Sequence, residues 1–266
     1  MIQTLIQLLR AGNATQRKQF PDLPAYSRGL PMLTGAPCRA DQGCNACLEA
    51  CPTEAIQVNP EPEGAQVSLD LGRCVACSGC VAACHTGTIV ENRRTTVAVR
   101  QPEELVLTNQ PLNMPSASLP PPSPFRRSIH LREVSTGDNA SDLEVAATNN
   151  PIFDASRFGV HFVASPRFAD ALLLTGPVAH AMQEPLRRCY DAMAEPRLVI
   201  AVGASAISGG LHRGGYAQAN GVNAVLPVAA YVPGHPPHPW YILHGILLAM
   251  GHPAATSLPV QDKARY

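Results

Sequence analysis

The stretch that decides the fold of the first half of the chain is Cys74-Val75-Ala76-Cys77-Ser78-Gly79-Cys80-Val81-Ala82-Ala83-Cys84. Its four cysteines are separated by two, two and three residues. This spacing lets one short loop present three thiolates to a single iron–sulfur cubane and send the fourth to a neighbouring cubane. Residues 74–84 are therefore predicted to ligate [4Fe–4S] clusters.

A second cysteine run lies upstream and repeats the pattern with a longer first step. It reads Cys38-Arg39-Ala40-Asp41-Gln42-Gly43-Cys44-Asn45-Ala46-Cys47-Leu48-Glu49-Ala50-Cys51-Pro52, and with residues 74–84 it holds eight of the nine cysteines. The repetition predicts two [4Fe–4S] clusters whose ligands are interleaved. The expected ligands are Cys38, Cys44, Cys47 and Cys84 for cluster 1, and Cys74, Cys77, Cys80 and Cys51 for cluster 2. The ninth cysteine, Cys189, is assigned no role.

Other uses of these cysteines fit the spacing less well. Structural zinc favours two pairs of cysteines separated by a longer gap. Disulfides are not expected, because the first residues lack the charged start and continuous apolar core of a secretory signal. One alternative stays open at cluster 1: Asp41 stands where a tighter spacing would place the first ligand, so either Cys38 or Asp41 completes the set.

The amino-acid composition of the chain limits the kinds of partner that it can bind. The chain has 20 basic and 20 acidic residues and a formal net charge of zero, which argues against nucleic acid. Only 15% of its 266 residues are charged and 26 are proline, which indicates a subunit partly covered by other proteins. No apolar run approaches the roughly 18 residues that a membrane span needs.

The pattern along the chain divides it into four parts. Residues 1–33 are an amphipathic helix, with its apolar face at Ile2, Leu5, Ile6 and Leu9, followed by an extended arm. This helix could lie on a membrane, on a partner subunit or on its own domain. Residues 34–99 form the two-cluster ferredoxin domain, with brief strands at 55–58 and 88–91. Residues 100–127 are a proline-rich linker, and residues 128–266 form a second domain.

The second domain alternates strands with helices. The predicted strands are Gly159–Ser165, Ala171–Thr175, Arg197–Gly203 and Ala224–Val232, and the predicted helices are Val178–Met193 and Trp240–Met250. Such alternation predicts a parallel α/β sheet, so the fold class is α/β plus α+β. In parallel sheets the loops after the carboxyl ends of the strands build the site.

Particular stretches of this domain resemble a known family. The residues that carry the resemblance are Pro151–Gly159, Ala169–Gly176, Gly203–Ala206 and Val232–Pro237. Residues 128–252 resemble the small electron-transfer subunit of energy-converting hydrogenases, with formate hydrogenlyase as the nearest type, and the 20 kDa subunit of complex I. The first hundred residues, including Leu8-Leu9-Arg10-Ala11-Gly12-Asn13-Ala14-Thr15, resemble the two-cluster ferredoxin subunit of the same complexes. The chain thus looks like a fusion of two neighbouring subunits.

The resemblance implies a flavodoxin-like second domain and an iron–sulfur electron-transfer subunit, which is not a catalytic chain on its own. The implied partners are a large hydrogenase-like or complex I-like subunit, membrane-arm subunits, and a dehydrogenase or soluble electron donor. The implied location is cytoplasmic, peripheral on the inner face of the cytoplasmic membrane through the complex.

One departure from the family concerns its third cluster. In the family the second domain holds a [4Fe–4S] cluster by four cysteines, and the matching positions here are Asp138, Ser141, Ser205 and His235. A cubane needs soft ligands, so we expect a hydrogen-bonded polar plug in its place, with a substitute metal as the alternative. This departure leads to an alternative hypothesis for function, in which the second domain is a structural or coupling module without a redox centre.

Overall fold

The computed structural model describes residues 2–11, 18–61, 64–109, 123–137 and 140–255. Within these ranges, no helix is both long enough and apolar enough to cross a bilayer.

The N-terminal segment is helical, as its apolar spacing predicts. Helix α1 spans Ile2–Ala11, and the side chains of Ile2 and Ile6 are 76% and 40% exposed, so these two do not pack on their own domain. In the following arm, strand β1 (Leu30–Leu33) pairs antiparallel with β4 (Ile89–Asn92). The sequence predicted only an extended arm here. Pro31 is tolerated in β1 because this strand lies at the edge of a two-stranded sheet.

The ferredoxin module combines two short helices with a small antiparallel sheet. Helices α2 (Ala46–Glu49) and α3 (Gly79–Ala83) begin inside the two cysteine runs. Strands β2 (Ile56–Glu61), β3 (Gly64–Asp70) and β5 (Val106–Thr108) form the sheet in the order β2-β3-β5. The two cysteine loops are therefore held between this sheet and the β1–β4 pair.

The range expected to be a linker is partly folded. Residues Pro102–Leu105 form a 3-10 helix that leads directly into β5, and Leu105 and Leu107 are 1% and 2% exposed. These apolar side chains attach the stretch to the ferredoxin module in spite of Pro102. Residues 110–122, where most prolines of the expected linker lie, are outside the described residues.

The second domain is a five-stranded parallel sheet. Its strands are β6 (Ile129–Ser135), β7 (Val160–Phe162), β8 (Ala171–Thr175), β9 (Leu198–Val202) and β10 (Ala230–Val232). They lie in the order β10-β9-β8-β6-β7, which is the flavodoxin-like order, so the predicted fold is confirmed. Its topological switch point lies between β6 and β8, where ligands bind in folds of this kind.

Among the described residues of the second domain, four α-helices accompany the sheet. They are α4 (Ala140–Ala147), α5 (His180–Asp191), α6 (Ala204–Ser208) and α7 (Pro239–Met250). The strand predicted over Ala224–Val232 is shorter, because Pro227 cannot donate to a ladder, and a 3-10 helix covers Val222–Ala224. Strand β6 was missed in the sequence, since charged residues interrupt its apolar pattern.

The two modules share one continuous hydrophobic core. Across the seam, Val99 and Tyr231 exchange backbone hydrogen bonds of 3.0 and 2.8 Å, and an Arg100 guanidinium NH₂ group donates to the Leu248 carbonyl at 2.7 Å. The carboxyl edge of the second sheet is thereby held against the cysteine loops.

Candidate metal centres

The first site gathers four cysteines from both runs. Cys38, Cys44, Cys47 and Cys84 line one cavity of about 230 Å³. Burial raises the pKa of the Cys47 thiol, and the nearby thiols of the other three raise it further. Asp41, the alternative ligand, lies in an exposed 3-10 helix (Ala40–Gln42) and is not among the residues that line this cavity.

The second site gathers the remaining four cysteines of the two runs. Cys51, Cys74, Cys77 and Cys80 line a second cavity of about 10 Å³. Cys77 is exposed, whereas Cys74 and Cys80 are buried. Burial raises the pKa of Cys74 to about 12 and that of Cys80 to about 11.

The last cysteine of each run crosses to the site of the other run. The Ala55 backbone N–H points to the Cys51 sulfur at 3.3 Å, and the Ile89 N–H points to the Cys84 sulfur at 3.4 Å. Hydrogen bonds to sulfur stabilise a thiolate and tune the reduction potential of a bound cluster. In both halves of the module, a backbone N–H group therefore points to the sulfur of the crossing cysteine.

A threonine two residues after each crossing cysteine adds to this environment. Thr86 Oγ1 lies 3.5 Å from Cys84 Sγ, and Thr53 Oγ1 lies 3.8 Å from Cys51 Sγ. Burial opposes ionisation of Cys84, yet the hydrogen bonds from Thr86 and Ile89 lower the pKa of its thiol. Both threonines were missed in the sequence, although aligning the two cysteine runs with each other would have shown them.

The donor sets fit a cubane better than a single ion. Across the described residues, no three or more His, Cys, Asp or Glu side chains close round one metal ion. A cubane holds its thiolates further apart than one ion does. Each site supplies four soft sulfur donors. Three of the eight sulfurs, those of Cys51, Cys74 and Cys84, already accept a backbone N–H group, as the sulfurs of iron–sulfur ligands do.

Three of the four residues predicted to stand at the position of the family's third cluster converge at the carboxyl edge of the second sheet. Ser141 and Ser205 are fully buried, and Ser205 Oγ lies 3.4 Å from His235 Nδ1. A Cβ placed at Gly203 would lie 2.9 Å from Ser141 Oγ. The fourth position, Asp138, lies outside the described residues.

The surroundings of these side chains agree only in part with the expected hydrogen-bonded plug. The Ser141 hydroxyl is buried and has no hydrogen-bond partner in the part of the chain that the structure describes, while Ser205 and His235 contact each other. Serine is a poor metal ligand, and one imidazole does not replace the thiolates. The plug therefore stays our interpretation of this site.

An acidic pair near the switch point was missed in the sequence. Glu133, on β6, has a buried carboxylate oxygen without a hydrogen-bond partner among the described residues. Burial and the neighbouring Asp142 raise the pKa of Glu133 to about 7. Asp142 itself accepts a hydrogen bond from the Thr175 hydroxyl at the end of β8. No local sequence motif indicates this pair, because the two residues meet only when β6, β8 and α4 pack together.

The second site faces the second domain, whereas the first does not. Ala76, between two ligands of the second site, lines a cleft together with Gly234 and His235. Thr53 lines another groove together with Gly210. The cavity of the first site is lined only by residues between 38 and 89.

Comparison with known protein families agrees with this division. Residues 38–88 match the family described as 4Fe-4S dicluster domain. Residues 139–249 match the family described as NADH ubiquinone oxidoreductase, 20 Kd subunit.

Individual relatives match a little under half of the chain. Formate hydrogenlyase subunit 7 of Escherichia coli (strain K12) is 40% identical over 128 residues, which cover 48% of this chain and 50% of that protein. The probable membrane-bound hydrogenase subunit mbhJ of Pyrococcus furiosus is 40% identical over 125 residues, which cover 47% of this chain and 75% of that protein. An NADH-quinone oxidoreductase subunit of Mycolicibacterium vanbaalenii is 48% identical over 106 residues, which cover 40% of this chain and 57% of that protein.

The match to the Escherichia coli protein thus spans about half of that protein's length. The match to the Pyrococcus furiosus protein covers three quarters of that subunit at 40% identity. With its two family matches and its flavodoxin-like sheet, the chain belongs to the family of the 20 kDa subunit of NADH-ubiquinone oxidoreductase and related hydrogenase subunits, to which it adds a 4Fe-4S dicluster domain.

Proposed function

We propose that the chain is an electron-transfer subunit of a complex related to formate hydrogenlyase and complex I, with two [4Fe–4S] clusters. One observation carries the proposal: eight cysteines from two runs form two groups of four, and each group combines three cysteines of one run with the last cysteine of the other. This arrangement supports the interleaved ligand sets expected from the spacing.

The residues of the chain provide ligation and tuning. A bound [4Fe–4S] cluster supplies one-electron redox chemistry. The cysteines would hold it, the N–H groups of Ala55 and Ile89 would stabilise the crossing sulfurs, and the buried Cys74 and Cys80 would shield part of it from water. No nucleophile or general base is required of this chain.

The position of the two sites suggests a direction for electrons. The cavity of the first site is lined only by residues between 38 and 89, so we assign to it contact with the donor, a dehydrogenase or a soluble carrier. The second site lies against the second domain, which in this proposal binds a large hydrogenase-like or complex I-like subunit.

A second candidate assigns the second domain a purely structural or coupling role. Its support is the polar plug of Ser141, Ser205 and His235 at the position of the family's third cluster. In this case electrons leave from the ferredoxin module and the second domain only transmits force or holds partners.

We also propose a peripheral location on the inner face of the cytoplasmic membrane, held by membrane-arm subunits. Helix α1 supports an interface outside the chain, because Ile2 and Ile6 are exposed. The names of the hydrogenase relatives point to membrane-bound complexes.

Iron and acid-labile sulfide per chain, with EPR of the reduced protein, test the cluster number. Two clusters predict about eight irons. About twelve irons would contradict the polar plug, and about four would contradict the interleaved pair.

The ligand partition is tested by matched cysteine variants. Cys77→Ser is expected to remove one EPR component and about four irons, because Cys77 serves only the second site. Cys189→Ser, which changes a half-buried cysteine of α5, is the control and should leave iron and spectrum unchanged. Ser205→Ala should also leave the spectrum unchanged. Loss of both components in Cys77→Ser with normal folding would contradict the proposed partition.

A further inference from the structure

A chain of two hydroxyl groups leads to the sulfur of Cys84 at the first site. Thr86 Oγ1 lies 3.5 Å from Cys84 Sγ and 2.7 Å from Thr88 Oγ1. Thr88 is 1% exposed, and its hydroxyl has the carbonyl oxygen of Pro37 as a second partner at 3.3 Å. Both threonines line the cavity of the first site. The two hydroxyls therefore connect the crossing sulfur with the backbone that leads into Cys38.

The two contacts of the Thr88 hydroxyl differ in length. Hydrogen bonds between an O–H group and an oxygen are most frequent at about 2.7–2.8 Å and are weaker beyond about 3.0 Å. The contact with Thr86 lies at this optimum, whereas the contact with the Pro37 carbonyl is long. Turning the Thr88 proton from Pro37 to Thr86 therefore costs little free energy.

A thiolate at Cys84 fixes the direction of this hydroxyl chain. A ligating thiolate carries no proton and only accepts hydrogen bonds, while each threonine hydroxyl has one proton to donate. The Thr86 proton then points to the sulfur, so the Thr86 oxygen accepts the proton of Thr88. Both hydroxyls point the same way in this arrangement, and hydrogen bonds in such a chain strengthen each other.

The other half of the ferredoxin module has only the first of the two hydroxyls. Residues 51–56 correspond to residues 84–89: each stretch has a cysteine, then a threonine two residues on, and an isoleucine at its end, and the fourth residue of each has a positive φ. Where one half has Thr88, the other has Ala55. Thr53 Oγ1 is also further from its crossing sulfur, at 3.8 Å. The hydroxyl chain is therefore a feature of the first site and has no counterpart at the second.

We propose that Thr88 is a positioning residue that holds the Thr86 hydroxyl towards Cys84 and thereby raises the reduction potential of the cluster at the first site. The inference rests on the proposed function, since it requires that cluster. Reduction adds one electron, and a hydrogen-bond donor to a ligand sulfur stabilises the more negative, reduced form more than the oxidised form. No proton is transferred, because both hydroxyl protons stay on their oxygens.

The test is a redox titration of the intact, cluster-loaded chain, in which the EPR component that persists in Cys77→Ser is followed. Thr86→Val removes the direct donor and should lower the equilibrium constant for reduction of this cluster about tenfold, which is about 59 mV for one electron. Thr88→Val keeps the shape of threonine and should lower the constant by less, because Thr86 keeps its proton. Thr88→Ser keeps the hydroxyl and should have the wild-type potential.

A double variant distinguishes a hydroxyl chain from two independent effects. If Thr88 acts only through Thr86, the chain that carries both Thr86→Val and Thr88→Val should have the potential of Thr86→Val alone. Thr53→Val is the matched control in the other half of the module and should leave the followed component unchanged.

The outcomes separate this inference from the proposed function. A potential that does not fall in Thr88→Val, or that falls further in the double variant than in Thr86→Val, overturns the inference and leaves the proposed function standing. A wild-type chain whose first site binds no iron overturns both. If a valine variant binds no iron, alanine at the same position is titrated in its place, since alanine is the residue that the other half has at the position of Thr88.

Discussion

At the scale of single residues, Glu133 predicts a pH-dependent stability. Its pKa is about 7 in the folded chain, raised from 4.5 first by burial and then by Asp142. A raised folded-state pKa means that stability is fully present below about 4.5 and is lost as the pH rises through about 7. In urea unfolding, Glu133→Gln should therefore be more stable than the wild type at pH 8 by about 1–2 kcal/mol, after discounting for its partial exposure, and the difference should be much smaller at pH 5.

The control for this prediction is Glu184→Gln on α5. Glu184 forms an exposed ion pair with Arg188, so its replacement should change stability by less than about 0.5 kcal/mol at both pH values. Equal effects of Glu133→Gln at pH 5 and pH 8 would show that the carboxyl group does not titrate in this range.

Residues differ in how far the sequence predicts their role. The cysteines could be assigned because ligand spacing is a local property of the chain. The cleft could not, since Ala76 and His235 are distant in sequence and meet only when the two modules pack. The raised pKa of Glu133 has the same origin: its partner Asp142 lies on another element.

At the scale of elements, the contact between α7 and β10 leaves no room for a side chain at Gly245. A Cβ there would lie 2.3 Å from Val232 Cγ2 and 3.3 Å from Ala98 Cβ. Gly245→Ala should therefore destabilise the chain by about 1–2 kcal/mol in urea unfolding, because overpacking outweighs the better helix propensity of alanine. Gly35→Ala, where no atom lies within 4 Å, is the control and should be near neutral. A stabilised Gly245→Ala would contradict this packing.

Elements with simple apolar patterns agree with the sequence prediction, and mixed ones do not. The predicted and observed bounds of β8 coincide, because five buried residues in a row are typical of a strand inside a parallel sheet. Strand β6 also lies inside the sheet, but it carries His130, Arg132 and Glu133. These polar side chains interrupt its apolar pattern, so the sequence did not predict the strand. Strand β1 was missed because Pro31 is unusual in a strand that pairs.

At the scale of the whole molecule, the seam predicts that the modules stay together without a covalent link. A protease site inserted within residues 110–122 would allow the chain to be cut between them. The cut chain should elute in size-exclusion chromatography at the position of the intact chain, because Val99–Tyr231 pairing and the Arg100–Leu248 contact cross the seam. Separate elution of two fragments would show that the seam alone is too weak.

The crossing of Cys51 and Cys84 ties the assembly of the two metal centres together. In the proposed arrangement each loop is completed by a residue of the other run, so filling one centre would immobilise part of the second before any iron arrives there. The conformational entropy of that loop has then already been lost. Half-filled chains should accordingly be scarce during maturation, and a folding fault in either run should reach both centres.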